Sequence, residues 1–246
     1  MKDEHGPGYS RYFILGLILA AGSLLRTYEL SGQSIWLDEA VSIYHSRQNI
    51  THIISLQDPT PPLYYALLHF WTRLAGTSEF SVRMLSVLFG TASIFIIYLS
   101  ASHTFNRRAG LYSALLISFS PLHIYFSQEA RTYSLLFALT LLSMYFYSRL
   151  TSAASSKWII PGYLISTTLL CYSHLYALLI VIAQNLHQII VSRFKLSREL
   201  KAWLLIQLFV FMFYIPWMVR LPGIISDHFH SMDFKAFVFT VDLYDI

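Results

Sequence analysis

The sequence is poor in charged residues. Only 12% of its 246 residues are Asp, Glu, Lys or Arg, whereas an ordinary soluble domain has about 25%. Hydrophobic residues make up 55% of the chain, and the mean hydropathy is +0.52. So little charge with so much apolar surface is typical of a protein whose solvent is a lipid bilayer. We therefore expect an integral membrane protein.

Other familiar signals are also missing. The single cysteine, Cys171, lies inside an apolar run and cannot form a disulfide within the chain. The sequence has no glycine-rich nucleotide loop and no Cys/His spacing typical of a metal site. The net charge of +4 comes from basic residues that stand singly or in pairs, which argues against a nucleic-acid partner. These patterns identify no cofactor and no metal site, although a divalent cation is compatible with them.

Long apolar runs dominate what is present. A helix needs about 20 apolar residues to cross the hydrocarbon layer, and seven stretches come close to that length. With the N-terminus in the cytoplasm, most basic residues of the connections lie on the inner side, as the positive-inside rule requires. Most acidic residues then lie outside. The sequence predicts an all-α multi-pass membrane protein with its polar chemistry at the outer face. The predicted spans are 12–25, 82–103, 109–126, 133–150, 158–172, 175–191 and 203–219.

The longest connection, the first outer loop over residues 26–81, carries two short amphipathic patterns. In the first, an apolar helical face that starts at Leu37 lies beside a polar face that starts at Asp38. In the second, Thr60 is placed to cap a helix that begins at Pro61, and Tyr64 belongs to its apolar stripe. At about a dozen residues such a helix cannot span a bilayer. We expect two helices that lie in the membrane interface.

The stretch IWLDEA places two adjacent carboxylates, Asp38 and Glu39, outside the first predicted span. Carboxylates in a first helical turn stabilise the helix through its dipole by about 0.3–1 kcal/mol, and this interpretation needs no chemistry. A carboxylate on a surface-lying helix that faces a membrane cavity can also serve as a general base for a hydroxyl. Both interpretations fit the residues taken alone.

A second polar cluster lies in SPLHIYFSQEARTYSLL, where Pro121 predicts an end or a kink of the third span. Glu129 and Arg131 follow at the outer face. They form either a polar turn with a surface ion pair, worth about 0–1 kcal/mol, or an anion site. Arg131 suits phosphate because its guanidinium is a planar fork of donors. Glu129 would then orient Arg131 or a substrate hydroxyl.

Four more residues at the outer face have two interpretations each. Asp58, before TPP, is a turn residue or one wall of a site. His45 is a solvated position or a hydrogen-bonding neighbour of Asp38. His174, in YSHLYA, is a turn residue between two apolar runs or part of the chemistry. Arg83 contacts a phosphate or only anchors the mouth of the second span by snorkelling.

The order of these motifs resembles a known family. One span, then WLDEA, then DPTPPLYYALLHFWTRLAG, then SEFSVRMLSVLFG at the second span, is similar to the GT-C membrane glycosyltransferases. HIYFSQEARTYSLL and CYSHLYALLIVIAQ continue the resemblance over about residues 12–219. The branch is the protein-mannosyltransferase-like group, with the aminoarabinose transferases and the rhizobial lipopolysaccharide transferases.

The resemblance implies a multi-span helical bundle in a prokaryotic cell membrane. Its members take a sugar from a polyprenyl-phosphate carrier and pass it, with inversion, to a lipid, glycan or protein acceptor. The acid of the family's first outer loop maps onto Asp38, with Glu39 beside it, and would draw the proton from the acceptor hydroxyl. Positive charge from Arg131 and Arg83 would stabilise the leaving phosphate. The other expected substrate-binding residues are Glu129, Asp58, His45, His174 and Tyr64.

Two departures from the family pattern stand out. Thr60 occupies the position before the prolines where some relatives have Lys, and family members are usually much longer. We therefore expect residues 1–219 to form the transmembrane domain, and 220–246 to be an outer-face tail or the start of a further C-terminal part. Two other functions stay open. A transporter or flippase subunit would carry ionisable residues in mid-span, and a non-catalytic assembly partner, including an inactive fragment, needs no site.

Overall fold

A computed structural model describes residues 8–56, 58, 60–152, 156–224 and 226. Within these ranges all regular structure is helical, so the predicted all-α bundle is confirmed. Residues 1–7 and most of the predicted tail 220–246 lie outside the described residues. The helices are α1 (Gly8–Thr27), α2 (Leu37–Arg47), α3 (Ile50–Ile54), α4 (Leu63–Ala75), α5 (Glu79–Thr104), α6 (Arg107–Ser118), α7 (Pro121–Ser127), α8 (Tyr133–Thr151), α9 (Ile159–Ser173), α10 (Ala177–Val191) and α11 (Arg198–Met218).

Each predicted span corresponds to a helix or a helix pair. By length and composition, two described helices can cross a membrane, α5 and the stretch Arg198–Ile224 that contains α11. The pair α6 and α7 adds a third if it is one bent span. α9 and α10 are apolar but only 15 residues long each. The figure of about seven spans therefore stays a prediction.

The chain bends by 64° between α6 and α7. Pro121 is the first residue of α7, and the hydroxyl of Ser120 accepts a hydrogen bond from the backbone N–H of His123 at 3.4 Å. Proline lacks an N–H and its ring clashes with the preceding helical turn, so α6 cannot continue straight. The predicted kink is confirmed. So is the predicted turn at His174, which caps the end of α9.

The described part of the first outer loop holds three helices, α2, α3 and α4, where the sequence predicted two. The predicted start of α4 is wrong, because the helix begins at Leu63 with Pro62 as its cap. The backbone N–H of Thr60 instead donates to Asp58 Oδ1 at 2.6 Å, which makes a turn. Residue Pro61 precedes another proline, and that position disfavours the helical backbone.

α2 buries several of its polar side chains and exposes two of its large apolar ones. Glu39, Ser42 and Ser46 are buried, and α2 packs on α4. Leu37 and Tyr44, by contrast, are 76% and 63% exposed. This arrangement suits a helix whose outer side meets lipid at the membrane surface.

α5 is the central helix of the bundle and packs against α1, α4, α6, α7 and α8. The main core cluster joins Tyr64 and Leu68 of α4 to Leu135 of α8, Leu170 of α9 and Trp217 of α11. This packing holds the first outer loop against the same end of the bundle as the connection between α7 and α8.

Candidate active site

The first turn of α2 faces the segment that joins α7 to α8. Nη1 of Arg131 donates to the backbone oxygen of Asp38 at 3.2 Å, and Nη2 lies 3.4 Å from Asp38 Oδ2. The Asp38 side chain is 43% exposed and that of Arg131 16%. The Arg131 guanidinium also lies over the Tyr133 ring, 5.7 Å from its centroid. The structure thus brings together the predicted base and the predicted anion-binding residue.

The neighbouring carboxylate, Glu39, is fully buried in an ion pair with Arg83. Nε of Arg83 donates to Glu39 Oε1 at 2.8 Å, and Nη2 donates to Oε2 at 2.7 Å. The other three N–H groups of Arg83 donate to the backbone oxygens of Leu30, Gln33 and Ser34. An arginine has five donors, and all five are used within the protein. This geometry disfavours the phosphate contact expected of Arg83.

Glu39 has a third partner, the backbone N–H of Ala130, which donates to Oε1 at 2.8 Å. Ala130 lies between Glu129 and Arg131. One buried carboxylate therefore ties α2 both to α5 and to the segment that carries Arg131. A buried pair of this kind is strongly destabilising to break. These contacts favour a positioning role for Glu39 over direct contact with substrate.

Glu129 is buried beside this network. Burial raises the pKa of its carboxyl, and the nearby carboxylates of Glu39 and Asp38 act in the same direction. Hydrogen bonding by Tyr125 and the charge of Arg131 oppose that rise in pKa. A carboxyl with a raised pKa keeps its proton to higher pH and can then donate a hydrogen bond.

His45 and Asp58 form another part of the site, with His45 Nε2 3.7 Å from Asp58 Oδ2. The His45 ring lies 5.1 Å from the ring of Tyr65. Burial lowers the pKa of His45, although Asp58 works against that change. Nδ1 of His45 is buried and has no partner among the described residues. Asp58 thus combines its expected turn role with a place in the site.

α4 places Tyr65, not Tyr64, beside His45. Tyr64 is fully buried, and its hydroxyl lies 2.8 Å from that of Ser86, which in turn donates to the backbone oxygen of Arg131 at 3.2 Å. This geometry disfavours the expected substrate contact of Tyr64. Sequence reasoning missed Tyr65. Burial and the charge of Asp58 raise the pKa of Tyr65 to about 12. Its only sequence signal was the pair of adjacent tyrosines.

His174 lies close to Arg131 on the adjacent connection. The hydroxyl of Thr132 donates to the backbone oxygen of Ser173 at 2.9 Å and so joins the two connections. Nδ1 of His174 accepts the backbone N–H of Tyr176 at 3.1 Å, which assigns the proton of the neutral ring to Nε2. Burial, with a smaller effect of the Arg131 charge, lowers the pKa of His174.

An apolar cavity of about 280 Å³ adjoins this end of the bundle. It is lined by Leu136 and Thr140 of α8, by Tyr176, and by Leu179 and Ile180 of α10. Within the described ranges, no three His, Cys, Asp or Glu side chains lie together as metal ligands would.

The described structure therefore gathers most of the predicted residues at one end of the bundle. Asp38, Arg131, Glu129 and His174 form one group, and His45 with Asp58 forms a second group beside Tyr65. Arg83 and Tyr64 lie behind them with their polar atoms engaged in the protein.

The all-α fold with its apolar helices is consistent with the bundle of a GT-C membrane glycosyltransferase. The family model described as dolichyl-phosphate-mannose-protein mannosyltransferase matches residues 59–219, which is more than half of the chain. The chain belongs to that family. The matched range includes Arg83, Glu129, Arg131 and His174 but begins beyond Asp38 and Glu39. No curated protein and no solved structure matches the chain.

Proposed function

We propose that this chain transfers a sugar from a polyprenyl-phosphate carrier to a hydroxyl of a lipid, glycan or protein acceptor. The family supports the reaction class. The observation that carries the proposal is the pair of Asp38 and Arg131, a partly exposed carboxylate beside a guanidinium. Nε of Arg131 is buried and lacks a hydrogen-bond partner in the described part of the chain.

Asp38 acts as the general base. It accepts the proton of the acceptor hydroxyl while the hydroxyl oxygen attacks the anomeric carbon. The bond between that carbon and the phosphate oxygen breaks, and the polyprenyl phosphate leaves with the electron pair. Direct displacement inverts the anomeric centre. Asp38 suits this role because its side chain is accessible, whereas the side chain of Glu39 is not.

Arg131 stabilises the charge that develops on the leaving phosphate. Its side chain is mostly buried, and a fixed donor in a poorly solvated site stabilises charge more strongly than it would in water. His174 lies close by and is neutral, with its Nε2 proton available as a further donor. Glu129, whose carboxyl pKa is raised by burial, hydrogen-bonds to a hydroxyl of the sugar or the acceptor.

Glu39 and Arg83 hold α2 in place, and His45 with Asp58 lines the acceptor side. The open apolar cavity between α8 and α10 is lined by Tyr176, whose ring lies 4.6 Å from that of His174, and it suits the hydrocarbon of the carrier. We infer a multi-pass protein of a prokaryotic cell membrane, with its N-terminus in the cytoplasm and this site at the outer face. The inferred partners are the lipid-linked sugar, the acceptor and the membrane lipids.

A test uses membranes that contain the chain, incubated with a polyprenyl-phosphate-linked labelled sugar and native membrane acceptors. We expect a new glycosidic bond whose anomeric configuration is opposite to that of the donor, as read by NMR. Movement of the intact donor across the bilayer without a new bond would instead identify a transporter or flippase. If the membranes yield no product and the donor does not move across the bilayer, the result favours a non-catalytic assembly partner.

A further inference from the structure

Arg26, near the end of α1, is a fully buried cation that none of the chemistry above uses. Its Nη1 donates to the backbone oxygens of Gly22 and Ser118, at 2.7 and 3.2 Å. Its Nη2 donates to the backbone oxygen of Ile117 at 2.9 Å and lies 2.8 Å from Nδ1 of His123. An ionisable residue buried in a membrane helix is costly and indicates a function.

The partners of Arg26 explain why the charge is there. Ile117 and Ser118 are the last residues of α6. The Ile117 carbonyl accepts a backbone N–H from Ser120 at 3.4 Å, and the bend that follows deprives the Ser118 carbonyl of a next helical turn. Hydrocarbon cannot hydrogen-bond such groups, so the protein must. A cation at a helix C-terminus is also favoured by the helix dipole. Gly90 allows the close approach of α7, because a Cβ there would clash with Ser127, and it would also lie 3.3 Å from Arg26 Nε.

Gln128 makes the reciprocal contact with the end of α1. Nε2 of Gln128, just after α7, donates to the backbone oxygens of Tyr28 and Arg26, at 2.9 and 3.3 Å. These carbonyl groups lie at the end of α1, which stops at Thr27. Arg26 therefore caps α6 and Gln128 caps α1. We call these contacts the Arg26–Gln128 clamp.

The residues that directly follow Gln128 in the sequence belong to the candidate active site. Gln128 is followed by Glu129, by Ala130, whose N–H binds Glu39, and by Arg131, which pairs with Asp38. We propose that Arg26 is a positioning residue that acts through the clamp to hold residues 128–131 so that Arg131 faces Asp38. The effect on transfer rests on the function proposed above. The effect on geometry does not.

Cross-linking tests the geometry without any need for activity. The protein would carry Cys171→Ala, Asp38→Cys and Arg131→Cys, and a short bismaleimide would alkylate and so join the two new cysteines in membranes. Added Arg26→Leu or Gln128→Leu should lower the cross-linking rate at least about fivefold, because one lost hydrogen bond alone produces that ratio and each variant loses more than one. Arg26→Lys keeps the charge but loses the planar set of guanidinium donors, and it should lower the cross-linking rate by a smaller factor. Arg11→Leu removes another arginine of α1 and should leave the rate unchanged.

Transfer then separates positioning from mere stability. In an otherwise native chain, Gln128→Leu should raise the KM for the lipid-linked donor. The same change should have little further effect in an Arg131→Ala background, because the clamp acts through Arg131. A destabilising change would act equally in both backgrounds. Membrane insertion and protease resistance show whether each variant is folded. If Arg26→Leu does not fold, Gln128→Leu still tests the proposal, because it removes only the capping donor.

Each result decides part of the proposal. Unchanged cross-linking in both clamp variants overturns the clamp. Slower cross-linking with unchanged or additive transfer overturns the positioning role and leaves a structural clamp. Absence of transfer by the native chain contradicts the proposed function, and the cross-linking rates still decide the geometry.

Discussion

The carboxylate of Glu39 accepts two hydrogen bonds from the guanidinium of Arg83, at 2.8 and 2.7 Å, one residue away from the partly exposed carboxylate of Asp38. Adjacent acids in one helical turn therefore have different surroundings. One is buried and held by a cation and a backbone N–H. The other is accessible and faces Arg131. This difference leads to separate expectations for the two positions.

Replacement of the buried acid should destabilise the fold. Glu39→Gln leaves the Arg83 guanidinium buried without its counter-charge, and loss of one partner of a buried pair costs about 3–5 kcal/mol. Thermal unfolding in detergent, followed by tryptophan fluorescence, measures the change. Glu29→Gln, an exposed acid outside the site, is the matched control. A Glu39→Gln protein as stable as the native chain would contradict the positioning role.

Arg131→Ala should weaken donor use more than acceptor use. A hydrogen bond to a charged group contributes about 1.5–3 kcal/mol, so the apparent donor affinity should decrease by about one to two powers of ten. Arg131→Lys restores the charge but not the fork and should recover part of the loss. Arg73→Ala, which removes an exposed arginine of α4, should have no effect. An unchanged donor affinity in Arg131→Ala would exclude the phosphate role.

Stability should depend on pH through Glu129. Burial raises the pKa of this carboxyl in the folded protein above its ordinary value of 4.5, so the folded state binds the proton more tightly than the unfolded state. The resulting stabilisation is fully present below about pH 4.5 and is lost as the pH rises through the raised pKa. Glu129→Gln should therefore have a flatter profile of unfolding temperature against pH. Parallel profiles for the two proteins would show that Glu129 does not titrate in this way.

Cysteine labelling should place the first outer loop outside the cytoplasm. The only native cysteine, Cys171, is buried and can be replaced by Ala. New cysteines at Arg47 and Arg73, two exposed polar positions of the loop, should react with an impermeant maleimide added outside intact cells. A cysteine at Phe105, 75% exposed at the end of α5, should react only after the membrane is opened. The reverse pattern would overturn the predicted orientation.

The sequence predicted the features that depend on local chemistry. Pro121 indicated the bend, because a proline ring cannot follow a helical turn. The pattern of α2 indicated a surface helix, and its buried polar side agrees with that interpretation. The start of α4 was wrong because the effect of two consecutive prolines on the backbone outweighed the capping pattern.

Contacts between distant residues could not be predicted in the same way. The Arg131 contact with Asp38 spans 93 positions, and the Ala130 contact with Glu39 spans 91. No feature of the sequence indicated the Arg26 contacts with Ile117 and Ser118, which span 91 and 92 positions. The type of each side chain was informative, but its partner depends on how the helices pack.

The most direct test of the central claim compares sugar transfer by the native chain, Asp38→Asn and the control Glu29→Gln. Membranes with equal amounts of each inserted protein receive the polyprenyl-phosphate-linked labelled sugar, and the labelled product is counted. The account predicts transfer by the native chain and the control, and loss of at least about a hundredfold in Asp38→Asn, since a general base contributes about 10²–10⁴-fold. Transfer by Asp38→Asn at the native rate would contradict the assignment of Asp38 as the base.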